Sequence, residues 1–239
     1  RRTGRLVRAE LPGGIVQHYE GPRDAEHKVR TEFPNGRVGH YEGPKGREHI
    51  VRTMWPNGNV MHFEGPKSAE RKVRLEFPDG RVEHYERRTG RLVRAELPGG
   101  IVQHFEGPRD AEHKVRVEFP SGMVDHYEGP KDAEHLVHVE FPNGTMQHYE
   151  GPVGQEHKVR TEFPNGRVQH FEGPKDAERK VRTEFPDGTV SHFEGPGGQE
   201  RLVRMERRDP TQNDRAAQRR RIADAPPGAR LGRVSVPPS

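Results

Sequence analysis

The chain has no cysteine, which excludes disulfide staples and thiolate metal sites and leaves no trace of a redox compartment. It is also short of apolar residues. Only 28% of its 239 residues are hydrophobic against 33% charged, too polar for a compact two-layer globule of this size. There is one tryptophan, and no apolar run approaches the ~20 residues a membrane-crossing helix needs. No signal-peptide pattern opens the sequence, so a cytoplasmic location is expected. Serine is scarce, with Ser68, Ser121 and Ser191 in unrelated local contexts. No nucleophile motif, glycine-rich phosphate loop or paired-carboxylate motif appears. The expectation is a protein without catalytic activity and without a cofactor.

Basic charge is confined to one end. Residues 207–239 carry eight Arg and three Asp, a net of +5, while the whole chain is +4, so the rest is near neutral at −1. All 15 His lie in that near-neutral part. A nucleic-acid partner is therefore not expected for it. The tail reads as a short helix from Thr211 to Ala225 or as disordered chain, and Arg219, Arg220 and Arg221 are its candidate contacts to an acidic membrane surface.

What the sequence does have is a repeat. His18, His40, His62 and His84 are 22 apart, His104 follows after 20, and His126, His148, His170 and His192 return to 22. The turn signature keeps the same count, from Leu11-Pro12-Gly13-Gly14 and Phe33-Pro34-Asn35-Gly36 to Phe185-Pro186-Asp187-Gly188. Nine units thus fill residues 1–206. Residues 1–30 and 87–116 are identical except for Tyr19 against Phe105, which points to duplication of a block, 1–86 onto 87–172.

Each unit reads as two short strands. Lys28 to Phe33 alternates polar and apolar residues. Pro34-Asn35-Gly36 supplies a type I turn followed by a left-handed glycine, the three-residue hairpin with a glycine bulge. Arg37 to Glu42 returns, and Gly43-Pro44 opens a longer loop. The fold class expected is all-β: an elongated single-layer meander of consecutive antiparallel hairpins, with a β-solenoid as the alternative. The glycine bulge places Phe33 opposite Arg37, Arg30 opposite His40 and Val29 opposite Tyr41, whereas a two-residue Asn-Gly turn would move His40 to the Phe33 side. One face then holds Val29, Thr31, Phe33 and Tyr41 as the core, and the other holds Arg30, Glu32, Val38, His40 and Glu42.

The Tyr41-Glu42-Gly43 and Pro34-Asn35-Gly36 elements, with Tyr149-Glu150-Gly151 and Pro186-Asp187-Gly188, resemble the MORN repeats and their shorter bacterial relatives. The resemblance covers residues 5–206 and departs from the family at Val29-Arg30-Thr31, where Gly-x-Gly is usual. It implies an elongated hairpin sheet used for scaffolding, dimerisation and attachment near membranes.

The candidate binding residues are His40, His62, His126, His148 and His170 with Arg30, Arg116 and Arg160. Histidines of one column stand two strands apart in a meander, ~9.5 Å, too far to share a metal ion. A surface His paired with Arg30 and Glu42 is the simpler expectation, and no metal site is expected. The function expected is a repeat scaffold for protein partners or self-assembly, including a homodimer paired through the aromatic face. The alternative is a module for anionic lipid or a divalent metal on the His and Arg face.

Overall fold

The computed structural model describes residues 4–207. The tail arginines and the helix expected there lie outside these residues. The chain divides into two compact units, 1–158 and 159–239.

In the first unit the strands are β1 (Arg8–Leu11), β2 (Ile15–Glu20), β3 (His27–Glu32), β4 (Val38–Glu42), β5 (His49–Met54), β6 (Val60–Glu64) and β7 (Arg71–Glu76). They continue as β8 (Val82–Tyr85), β9 (Leu92–Leu97), β10 (Ile101–Glu106), β11 (His113–Glu118), β12 (Val124–Glu128), β13 (His135–Glu140) and β14 (Met146–Glu150). The division falls within β15 (His157–Glu162); β16 (Val168–Glu172), β17 (Arg179–Glu184), β18 (Thr189–Glu194) and β19 (Arg201–Arg207) belong to the second unit. Pairing is antiparallel and between sequence neighbours in both. The architecture is the all-β meander of tandem hairpins and not a parallel solenoid.

The turns form as their residues dictate. Gly36 N–H donates to Phe33 O and Phe33 N–H to Arg37 O, both at 2.9 Å. Asn35 Oδ1 accepts the Arg37 N–H at 3.1 Å. Gly36 has φ +76°, and a Cβ there would stand 2.7 Å from Pro56 Cγ of the next turn. Glycine is thus required both by conformation and by the stacking of one turn on the next. The resulting register pairs Arg30 with His40 and Glu32 with Val38, as expected.

A second bulge lies at the other end of each hairpin. Tyr19 pairs with Lys28 and His18 with Arg30, which leaves Val29 as the extra residue. The same slip recurs between His40 and Tyr41, where Val51 is extra, and between His170 and Phe171 in the second unit. Alternation resets there, so the valine column does not join the aromatic face. Lys28 takes that side instead, with Nζ 3.8 Å from the Tyr41 ring centroid. Val51 shares a recess with His40, Arg52 and His62. This corrects the placement of Val29 with Phe33 and Tyr41: a bulge inserts one residue and moves its side chain to the opposite face.

The core is correspondingly thin. Its deepest column is the one holding Thr31, Thr53, Ala95, Val117 and Val139, each no more than 6% exposed, and Thr161 and Thr183 repeat it in the second unit. The aromatic columns are only half-buried, and Phe185 is 38% exposed. They were expected to be the core. In the first unit each strand packs only on its sequence neighbours, so the middle of a strand is shielded by flanking strands and by long side chains laid across it. Toward the rims the cover is thinner, a single lysine or arginine over each of the Tyr41, Phe33 and Phe77 rings.

The long loops are tied by a separate device. Glu48 Oε1 accepts the Lys28 N–H at 3.3 Å, and Glu112 and Glu134 accept the N–H groups of Leu92 and Lys114. Glu200 does the same for Lys180 in the second unit at 2.9 Å. Lys45 Nζ donates to Asp24 O at 3.0 Å. Each loop therefore caps bulge-side donors of the previous hairpin that the ladder leaves unpaired.

Candidate functional site

The two bulges together set which residues share a surface. One face carries His, Arg and Glu columns in a repeating ion-pair network. His18 Nε2 stands 3.0 Å from Glu32 Oε1, and Arg30 approaches the same oxygen at 3.2 Å. A carboxylate is acceptor-only, so Nε2 carries the proton in this contact. The unit repeats for His62, Arg74 and Glu76, for His84, Arg94 and Glu96, and for His104, Arg116 and Glu118. In the second unit His170 and Arg182 share Glu184, and Arg160 pairs with Glu162. The partner of each His is the glutamate of the following strand. The column of Glu42, expected to serve, does not fill that role.

Two repeats break the network. At Met54 the glutamate is missing, and Arg52 makes its contact to the Met54 sulfur at 3.1 Å. His40 faces Arg30 on one strand and Arg52 on the other. Burial, then Arg52 and Arg30, hold its imidazole below the ordinary value. At His138 the arginine is missing. His138 lies between His126 on β12 and His148 on β14, so three histidines occupy adjacent strands.

The expectation that histidines of one column stand too far apart passed over that intervening position. The signal was available: the column Arg8, Arg30, Arg52, Arg74, Arg94, Arg116, Arg160, Arg182 and Arg204 holds histidine only at 138. His126 and His138 stack with ring centroids 4.0 Å apart and planes 18° apart. Glu140 Oε1 lies 3.1 Å from His126 Nε2 and 3.7 Å from His138 Nε2. Burial, and next the adjacent His126, hold His138 below the usual imidazole range.

The opposite face pairs aromatics with cations. Lys72 and Lys114 lie over Tyr85 and Tyr127, and Arg37 and Arg81 over Phe33 and Phe77. Tyr127 donates to Asp125 Oδ2 at 3.3 Å; burial pushes the phenol up to about 12 and raises the carboxyl as well. Where the duplicated blocks join, the short Arg87-Arg88-Thr89-Gly90 turn leaves a cavity of about 530 Å³ beside Lys72 and Tyr85, ringed by Arg88, Arg109, Asp110 and Glu112. Its lining carries charges of both signs. Thr89, also in the lining, donates its hydroxyl proton to Glu86 Oε2 at 2.6 Å.

Among the sequence-predicted residues, the structure sets His40 with Arg30, His126 with Arg116 and His170 with Arg160 as cross-strand partners. His62 lies beside Arg52 and Arg74. Each of these partnerships lies on its own pair of strands.

No family model matches the chain, and no curated protein matches it. Solved structures with some likeness include the TCP10 domain of Danio rerio CPAP in complex with a STIL peptide. That domain is 17% identical, with 84% of this chain and 99% of that chain covered, at a TM-score of 0.32. The SAS-4 TCP domain of Drosophila melanogaster, in complex with a proline-rich motif of Ana2, is 13% identical over 85% of this chain and 97% of that chain, at 0.27. The CPAP G-box domain is 16% identical over 84% and 98%, at 0.28. At such TM-scores nothing is carried from those domains to this chain.

Proposed function

We propose that this chain is a non-enzymatic repeat scaffold, a MORN-like array that binds protein partners along the faces of its hairpin sheet. The observation that carries this reading is the arrangement of its polar chemistry. Ion pairs and cation–aromatic contacts recur in columns, whereas catalysis requires one pocket in which neighbouring groups are driven to different protonation states. A repeated surface suits multipoint attachment to a partner.

Self-association belongs to the same reading, as a homodimer. The aromatic face is partly covered by its own lysines and arginines. Exposed apolar side chains among the described residues include Val153 in a long loop, Phe185 at a turn, and Val7 and Met205. Pairing of copies is expected to use the aromatic side chains that this cover leaves exposed, such as Phe185.

The test uses the full chain as bait with a photo-crosslinker placed at Gln103 on the aromatic face or in place of Arg74 on the ion-pair face. A defined protein captured from one face, and lost when Tyr127→Ser or Arg116→Gln alters that same face, supports the scaffold. Capture that is indifferent to both faces argues against it.

A further inference from the structure

We propose that His126, His138 and Glu140 form a binding site for one divalent transition-metal ion of the Zn²⁺ class. Their donor atoms, one from each residue, all lie within 4.8 Å of one another. Two of the separations are 3.1 and 3.7 Å. Donors around a tetrahedral zinc at ~2.0–2.1 Å stand about 3.3 Å apart, so the Glu140 contacts already bracket the required spacing. A modest rotation of the two rings completes it.

The chemistry of the cluster points the same way. Elsewhere on this face an arginine, permanently charged, sits between two histidines and neutralises the glutamate. At this repeat the arginine is His138, and Glu140 has lost its fixed cation. His126 Nε2 is buried and makes no hydrogen bond despite its 3.1 Å approach to Glu140. A lone pair directed at a carboxylate is unfavourable unless a proton or a cation lies between them. A single dication answers both deficits, since it neutralises Glu140 and accepts the imidazole lone pairs.

Two imidazoles and one carboxylate suit Zn²⁺, Co²⁺, Ni²⁺ or Cu²⁺, while Mg²⁺ and Ca²⁺ prefer all-oxygen sites. Three protein ligands leave a fourth position for water or for a donor from another molecule. His148 stands next in line, its ring centroid 6.0 Å from that of His138, and lies outside the three-donor set. The site depends on one substitution in the repeat, the histidine at 138.

The repeat itself supplies the test variant. His138→Arg restores the residue that the same position holds in neighbouring hairpins, and is expected to fold. Titration of the full chain with ZnCl₂ at pH 7.5 should give one tight equivalent that falls at least tenfold in affinity in His138→Arg and in Glu140→Gln. His170→Gln, which alters an ordinary network position, should leave that equivalent intact. Co²⁺ should give a visible absorption of low coordination number in the wild type and lose it in His138→Arg. Absence of a tight equivalent in the wild type, or its persistence in His138→Arg with matching circular dichroism, would overturn the assignment.

Discussion

Lys28 Nζ lies 3.8 Å from the centre of the Tyr41 ring, one strand away. The contact shows how a sheet without a second layer in its first unit keeps an aromatic face in water. A lysine stem covers the ring while its ammonium stays hydrated, and the ring's negative face attracts the charge. The homodimer expected from the sequence presumed a bare apolar strip, and the strip is not bare.

Removing such a cover should therefore cost stability and expose apolar surface. Lys114→Ala uncovers Tyr127 and is expected to destabilise by about 0.5–1 kcal/mol. Urea denaturation measures the first effect, and dye binding with concentration-dependent light scattering the second. If Lys114→Ala and an exposed loop substitution such as Arg23→Ala behave alike, the lysine does not act as cover.

The thin core makes a second prediction. Thr31 is 2% exposed, and its Oγ1 has no hydrogen-bond partner. Valine occupies the same column at Val117 and Val139 and fits the same space. Thr31→Val is expected to stabilise by about 1 kcal/mol by removing an unpaired buried hydroxyl, a rise in Tm of roughly 2–4 °C for a unit of this size. A fall in Tm would mean that the hydroxyl is paired in solution.

Much of this was legible because it is local. Pro34-Asn35-Gly36 specifies its own turn, the turn specifies the Arg30–His40 register, and the period follows by counting. The bulge at Val29 was not legible, because it is set by pairing between successive hairpins and no glycine marks it. An invariant valine looks like core whether it sits in a ladder or at a bulge. The Glu48–Lys28 tie is invisible for the same reason, since it joins residues 20 apart. His138 was legible in principle. It was missed because reading by column averages away a single departure, and the departures from this repeat, His138 and Met54, are where its chemistry changes.

Acid should loosen the loops. The Lys180 N–H, followed by its own N–H, holds the Glu200 carboxyl below its ordinary value. Glu26 is lowered chiefly by its own backbone N–H. Burial raises Glu112, but its backbone hydrogen bonds outweigh that and leave it lowered. A carboxyl with a depressed folded-state pKa contributes stability that is present above its unfolded value, ~4.3, and lost as pH falls through the folded one. The loops' contribution to the urea midpoint should hold from pH 7 to about 5 and then fall. Glu112→Gln should flatten the part of that fall due to its loop. An unchanged acid limb in the variant would assign the fall to the ion-pair face.

The other departure from the repeat gives a pH dependence of the opposite kind of residue. Burial first, then Arg52 and Arg30, lower the His40 pKa, and Met54 stands where neighbouring repeats supply a glutamate. For a histidine lowered in the folded state, the unfolded chain takes up the proton first, near pH 6.5. Stability is then complete above that value and declines as pH drops toward the folded pKa. Met54→Glu restores the network, giving Arg52 and His40 a shared carboxylate. It is expected to raise the His40 pKa and to add about 0.2–1 kcal/mol, the range of a cross-strand pair, with more of the gain at pH 5.5 than at pH 8. Proton NMR titration of the His40 ring and urea melts at the two pH values check both parts. If the His40 pKa stays put in Met54→Glu, the new carboxylate does not reach the ring and the network is not rebuilt.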